Sequence, residues 1–139
     1  MAREASLTMD LSLYSGSIAE ILTAMHGIGW ECTGEYLPLH DDDLFDWQDG
    51  LSAAELLALT AQKQAAGELC GAVLRHTGSG RGVALLAENT ADIMLDLTIH
   101  RKKLCGDFTD ISWYIEQIAA KLEAAGCTVQ SVRYTEQIG

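Results

Sequence analysis

The sequence predicts an α+β fold, a two-layer sandwich in which three helices cover one face of a mainly antiparallel sheet of four to six strands. Three patterns carry this reading. Apolar and polar residues alternate over 7–14 and again over 93–100, the signature of strands with one wet face. Ile18, Ile21, Leu22 and Met25, and later Ile111, Tyr114, Ile115, Ile118 and Leu122, recur at the spacing of a helix with one apolar stripe. Between 69 and 99, three apolar runs are separated by short turns, as in an antiparallel meander. A chain of 139 residues, 48% hydrophobic and 21% charged, reads as a single globular domain, 1–139, able to bury a core without staples.

The elements follow in order. Leu7, Met9, Leu11 and Leu13 alternate with Thr8, Asp10, Ser12 and Tyr14 as the first strand. Ser15-Gly16 turns the chain, and Ser17 with Glu20 forms a capping box at the start of a helix over 17–27, which Gly27 and Gly29 end. A short strand around Gly34–Leu37 is a further candidate, because Pro38 biases Leu37 to an extended conformation. Ser52 with Glu55 is a second capping box, with Leu51 and Leu56 as its hydrophobic staple, and opens a helix over 52–66. Strands follow at Leu69–His76, Gly82–Ala87 and Ile93–His100, joined by Thr77-Gly78-Ser79-Gly80 and Glu88-Asn89-Thr90. Asp107, Thr109 or Asp110 caps a last helix over 110–125, and Val129–Tyr134 is a closing strand. The resulting order is β-α-α-β-β-β-α-β.

Charge is distributed unevenly. The net charge is −11, and seven of the twenty acids lie in the 22 residues from Trp30 to Leu51, which hold no Lys or Arg. The same stretch carries Trp30, Tyr36, Phe45, Trp47 and the single proline. Asp41-Asp42-Asp43 repel one another and predict a solvated loop, with Leu44, Phe45 and Trp47 pinning it to the body. An acidic surface with large aromatics suits a basic protein partner. The expected partner-binding residues are Glu35, Tyr36, Asp41, Asp42, Asp43, Phe45, Asp46, Trp47 and Asp49. The balance argues against nucleic acid and against anionic membranes as partners, since both demand Lys and Arg. Arg101-Lys102-Lys103, the only basic cluster, reads as an edge-strand guard or as an internal partner for the acidic loop.

Catalytic and metal chemistry find little support. Gly78-Ser79-Gly80-Arg81-Gly82 lies between two strands and lacks the lysine and helix start of a phosphate loop, so it reads as a hairpin turn. His40 with Asp41, Asp42, Asp43 and Asp46 offers hard oxygen ligands, but the glycine and glutamate of a calcium loop are missing. None of His26, His40, His76 and His100 sits in a hydrolase motif. Cys32, Cys70, Cys105 and Cys127 form no close pair, and the chain shows no signal-peptide core or apolar run of about 18 residues. Four free thiols in a soluble cytoplasmic protein are expected.

Leu13-Tyr14-Ser15 before a capped helix, Gly29-Trp30, Tyr36-Leu37-Pro38-Leu39, Asp41-Asp42-Asp43 and Phe45-Asp46-Trp47 look like segments of small bacterial proteins. Some of those proteins resemble immunity proteins of polymorphic or contact-dependent toxin systems. The resemblance lies in size, acidity and α+β order, and it assigns no residue a family role. It implies a protein that binds and neutralises a cognate toxin domain, its acids standing in for nucleic-acid phosphates where the toxin is a basic nuclease. The expectation is therefore a non-catalytic binding module with no catalytic residue, cofactor or metal. The competing expectations are a small enzyme or metal-binding protein built on the 40–49 loop, and an oligomer-forming domain.

Overall fold

A computed structural model describes residues 3–40 and 45–139. Its six-stranded sheet has the order β2-β3-β4-β5-β1-β6 and is antiparallel throughout. The strands are β1 (Arg3–Asp10), β2 (Trp30–Tyr36), β3 (Cys70–His76), β4 (Gly82–Ala87), β5 (Ile93–Asp96) and β6 (Ser131–Ile138). Helix α1 (Ile18–Gly27) precedes β2, and α2 (Ala53–Ala65) precedes β3. A last helix, α3, runs through three consecutive segments, Ile111–Tyr114, a π-helical Ile115–Ala120 and Lys121–Ala124. The α+β sandwich and the meander β3-β4-β5 agree with expectation; the order differs by the insertion of β2 between α1 and α2, which makes the candidate strand at Gly34–Leu37 a full edge strand.

The core lies between the sheet and the helices. Ala5, Leu7 and Met9 of β1, Ile93 and Leu95 of β5, and Val83, Leu85 and Ala87 of β4 are buried at alternate positions, as period two demands. They meet Ile18, Ile21, Leu22 and Met25 of α1, Leu56 of α2, and Tyr114, Ile118 and Leu122 of α3. Full burial of a Leu or Ile stabilises by about 1.5–3 kcal/mol, so this shared face dominates the stability of the fold.

Two expected strands are shorter than their alternation, for the same reason. β1 ends at Asp10, whose carboxylate accepts the Ser12 amide at 2.9 Å and its hydroxyl at 2.6 Å. β5 ends at Asp96, whose carboxylate accepts the Thr98 amide at 2.9 Å. A carboxylate that binds the backbone two residues on makes a local turn and takes that amide from the ladder. The chain therefore leaves the sheet although Leu11 and Leu97 still point into the core.

The helix starts are resolved individually. At α2 the box is complete: Ser52 accepts the Glu55 amide, and Glu55 accepts the Ser52 amide. At α1 it is half formed. Ser17 caps the Glu20 amide, but the Glu20 carboxylate takes the Ser15 hydroxyl at 2.7 Å, and Ser15 in turn receives the Ser17 amide. Asp110 is the cap of α3. All four cysteines are free, Cys70 and Cys127 buried and Cys105 exposed.

Trp30 ties the two layers together. It is fully buried at the start of β2, and its indole N–H donates to the Gln117 carbonyl at 3.1 Å, inside the π-helical segment. A π turn interrupts the i→i+4 ladder, and a side-chain donor suits a carbonyl there. Trp30→Phe keeps a large apolar ring but removes that donor. It should lower the unfolding free energy by about 2–4 kcal/mol, read as a shifted urea midpoint at unchanged slope. An unchanged midpoint would show that the indole bond contributes nothing.

Candidate functional site

The acidic stretch leaves β2 at Tyr36 and returns beside it. Tyr36 and Gln48 exchange backbone hydrogen bonds, each at 2.9 Å, and Gly50 and Leu51 both donate to the Gly34 carbonyl. The returning segment therefore pairs with the outer side of β2, a sheet edge. Gly34 permits the close pass. Its φ is +100, and a Cβ there would lie 3.0 Å from the Asp49 carboxylate and 3.1 Å from the Leu51 carbonyl.

Three side chains anchor the excursion. Leu37 is fully buried, on the opposite face of the sheet from the main core. Beside it the Trp47 ring lies over Gly71 of β3, where an added Cβ would sit 2.6 Å from Leu37 and 3.1 Å from the indole. Lys63 of α2, with 1% of its surface exposed, donates through Nζ to the carbonyls of Leu37 at 3.0 Å and Pro38 at 2.8 Å. A buried ammonium needs such partners, and these carbonyls are where the chain departs from the sheet. Further along, Glu68 receives the His40 amide at 2.7 Å and lies 3.1 Å from its ring nitrogen. His40 and Phe45 both take positive φ, 58 and 52, in the left-handed region.

The expected site residues separate by role. Asp41, Asp42 and Asp43 lie outside the described residues. Phe45, Asp46 and Asp49 are exposed. Glu35, Tyr36 and Trp47 are half-buried: Glu35 bonds Thr33, the Tyr36 hydroxyl donates to Gln48, and Trp47 is the anchor over Gly71. Of the three side chains expected to pin the excursion, Trp47 agrees with this packing, Phe45 is instead exposed, and Leu44 lies outside the described residues. Lys63 and Gln48 were absent from the expected set. Lys63 had a signal, since it falls at i+7 from Leu56 on the buried stripe of α2, with Thr60 at i+4.

The basic cluster has other partners than those expected. Among the described residues, Arg101 pairs with Asp107 at 2.9 Å and lies 3.8 Å from Glu136, Lys102 pairs with Asp110 at 3.0 Å, and Lys103 lies 3.6 Å from Asp107. Arg3 joins through Glu136 at 3.7 Å and stacks 4.0 Å from the Phe108 ring centre. Burial pushes the Glu136 carboxyl up, but hydrogen bonds from the Tyr134 hydroxyl and the Thr109 amide, and both guanidinium groups, bring it below its usual value. A groove of about 1290 Å³ opens beside this corner, lined by Arg3, Arg81, Arg101 and Lys103 together with Glu4 and Asp96. Its charges are mixed, and Arg3, Arg101 and Lys103 converge on Asp107 at its wall.

The histidine and cysteine chemistry is structural in form. His76 packs against Trp30 and Trp113 with ring centres 5.0 and 5.2 Å away, and burial holds its pKa below the ordinary value, aided by the charge of Lys121. Its Nδ1 lies 2.8 Å from the Ser79 hydroxyl, which also accepts the Arg81 amide, so the serine closes the hairpin turn. Burial pushes the Cys70 thiol up to about 11, which keeps it protonated at neutral pH. Among the described residues no group of three or more His, Cys, Asp or Glu is placed to hold a metal ion, and no helix is long and apolar enough to cross a membrane.

No protein family, curated protein or solved structure matches the chain. Its geometry is therefore the basis for any functional reading.

Lys63→Met keeps the length of the side chain and removes the donor beneath the excursion. The Leu37 and Pro38 carbonyls would lose it, at a cost of about 3 kcal/mol in denaturant unfolding. Unchanged stability would mean that the excursion is held without the lysine.

Proposed function

We propose that this chain is a non-catalytic protein-binding module that presents its acidic excursion to a basic protein. Its sharpest form is an immunity protein that neutralises a cognate toxin domain in the cytoplasm. The observation that supports this most is the mounting of the excursion. Mutually repelling acids need only solvent, yet this stretch is paired to β2 and anchored by Trp47, Leu37 and Lys63. The mounting leaves Phe45, Asp46 and Asp49 exposed at its outer side. Asp46 and Asp49 beside an exposed aromatic on a paired segment suit recognition, because ordering before contact lowers the entropy cost of binding. Half-buried Tyr36 and Trp47 supply rigid surface around it.

In this reading no residue acts as a catalyst, and neither cofactor nor metal takes part. Nucleic acid and anionic lipid are disfavoured as partners by the −11 charge, whereas a cationic protein is drawn to it. The resemblance to immunity proteins in size, acidity and α+β order makes a toxin domain the preferred occupant.

The test is a growth-rescue screen by coexpression with a panel of cationic toxin domains, followed by association kinetics with the one that is neutralised. Replacing Asp41, Asp42, Asp43 and Asp46 by Asn should slow association about tenfold at low salt and flatten its dependence on ionic strength. The melting temperature should change little, since exposed charges contribute little to stability. Rescue from none of the toxins, or equal rates and equal salt slopes for both proteins, would overturn the reading.

A further inference from the structure

The two edges of the sheet are treated differently. β2 is the edge at one margin, and the returning 47–51 segment bonds to its outer side. β6 is the edge at the other margin, about 24 Å away at the usual strand spacing. It pairs with β1 without a bulge from Arg3↔Ile138 to Asp10↔Ser131. Among the described residues no main-chain group beyond β1 bonds to the main chain of β6; the Thr109 amide reaches only the Glu136 carboxylate. The strand carries no proline and no lysine, and six of its eight residues are exposed. Bare edges of this length invite pairing with another strand, and proteins normally block them.

The geometry fixes which groups are free. The Leu97 amide donates to the Ala5 carbonyl, so the odd residues of β1 bond towards β5. Its even residues then bond towards β6, at Ser131, Arg133, Thr135 and Gln137. The amides and carbonyls of Val132, Tyr134, Glu136 and Ile138 consequently point outward.

These four positions are self-complementary in one antiparallel register. With Thr135 on a two-fold axis perpendicular to the sheet, Val132 faces Ile138 of the second copy, and Tyr134 faces Glu136. The two exposed apolar side chains of the strand, Val132 at 38% and Ile138 at 54%, then cover each other. The Tyr134 hydroxyl and the Glu136 carboxylate stay bonded to each other within each chain, so their facing across the seam leaves neither without a partner. On the other face Arg133 meets Gln137 and Thr135 meets Thr135. Centring the pair on Tyr134 would set Val132 against a carboxylate, and centring it on Glu136 would set two carboxylates together.

Local charge permits the approach. β6 carries one Arg and one Glu, whereas seven acids lie in the Trp30–Leu51 stretch at the far margin. We propose that β6 is a self-pairing edge, through which two copies of this chain join antiparallel into one continuous sheet with about eight new main-chain hydrogen bonds. Both acidic excursions then lie at the outer margins of the dimer.

Sedimentation of the full chain over a concentration series reaching the high micromolar range tests this. The wild type should pass from monomer to dimer, and more readily as salt rises, because two copies of like net charge repel. Val132→Lys with Ile138→Lys sets lysine opposite lysine at both ends of the seam and should weaken dimerisation about tenfold or more. Val132→Lys with Ile138→Glu changes the same two positions but sets opposite charges together, and should dimerise like the wild type. A wild type that stays monomeric, a double-lysine variant that dimerises unimpaired, or a failure of the Lys/Glu variant to recover would each overturn the proposal.

Discussion

An antiparallel sheet leaves a row of unsatisfied amides and carbonyls along each margin, and the organisation of this chain follows from how it meets that constraint. Burial of one face against three helices accounts for the core. It leaves both edges open. At β2 the chain meets the problem itself, by folding the acidic excursion back so that Gln48, Gly50 and Leu51 bond to Tyr36 and Gly34. Everything unusual nearby serves that return: glycine at 34 for the close pass, glycine at 71 for the space under Leu37 and Trp47, and a buried lysine for the carbonyls where the strand ends. The acids are then a consequence of position. Charge along an edge discourages pairing with a foreign strand, and the same charge on a fixed frame can attract a basic protein.

The two halves of the sheet also divide the electrostatics. The Trp30–Leu51 stretch itself holds no Lys or Arg, while Arg3, Arg101, Lys102 and Lys103 converge on Asp107, Asp110 and Glu136 at the opposite side. That corner fixes the 98–110 segment to the sheet. The Tyr114 hydroxyl accepts the Lys102 amide at 2.9 Å, which carries the link through to α3 and the aromatic group around Trp30. A basic run read in sequence as an edge-strand guard or as a partner for the acidic loop thus mainly braces its own corner, through Asp107 and Asp110.

Much of the fold was legible in the sequence because it rests on periodicity. The stripes of α1 and α3, the alternation of β1 and β5, and the turn at 77–80 each state their own partners. What escaped depends on side chains that bond the backbone. Asp10 and Asp96 end their strands through such bonds, although the alternation runs on past both. β2 was legible only as a fragment, since Glu31 and Glu35 break its apolar pattern and its outer partner is the excursion itself. Of the candidate site, the sequence identified the acids and aromatics but not the mounting: Gln48 contributes main-chain groups that carry no residue signature, and Lys63 is a charge on a stripe where charge is seldom found.

The claim that the returning end of the acidic segment, residues 48–51, is a paired edge element is tested most directly by amide hydrogen exchange. The Tyr36 and Gln48 amides, bonded to each other's carbonyls, should exchange far more slowly than unbonded loop amides, as measured residue by residue in dilute solution where the chain is monomeric. Exchange at Tyr36 and Gln48 as fast as at unbonded, exposed positions would contradict the account, because the edge of β2 would then be uncovered and the excursion unmounted.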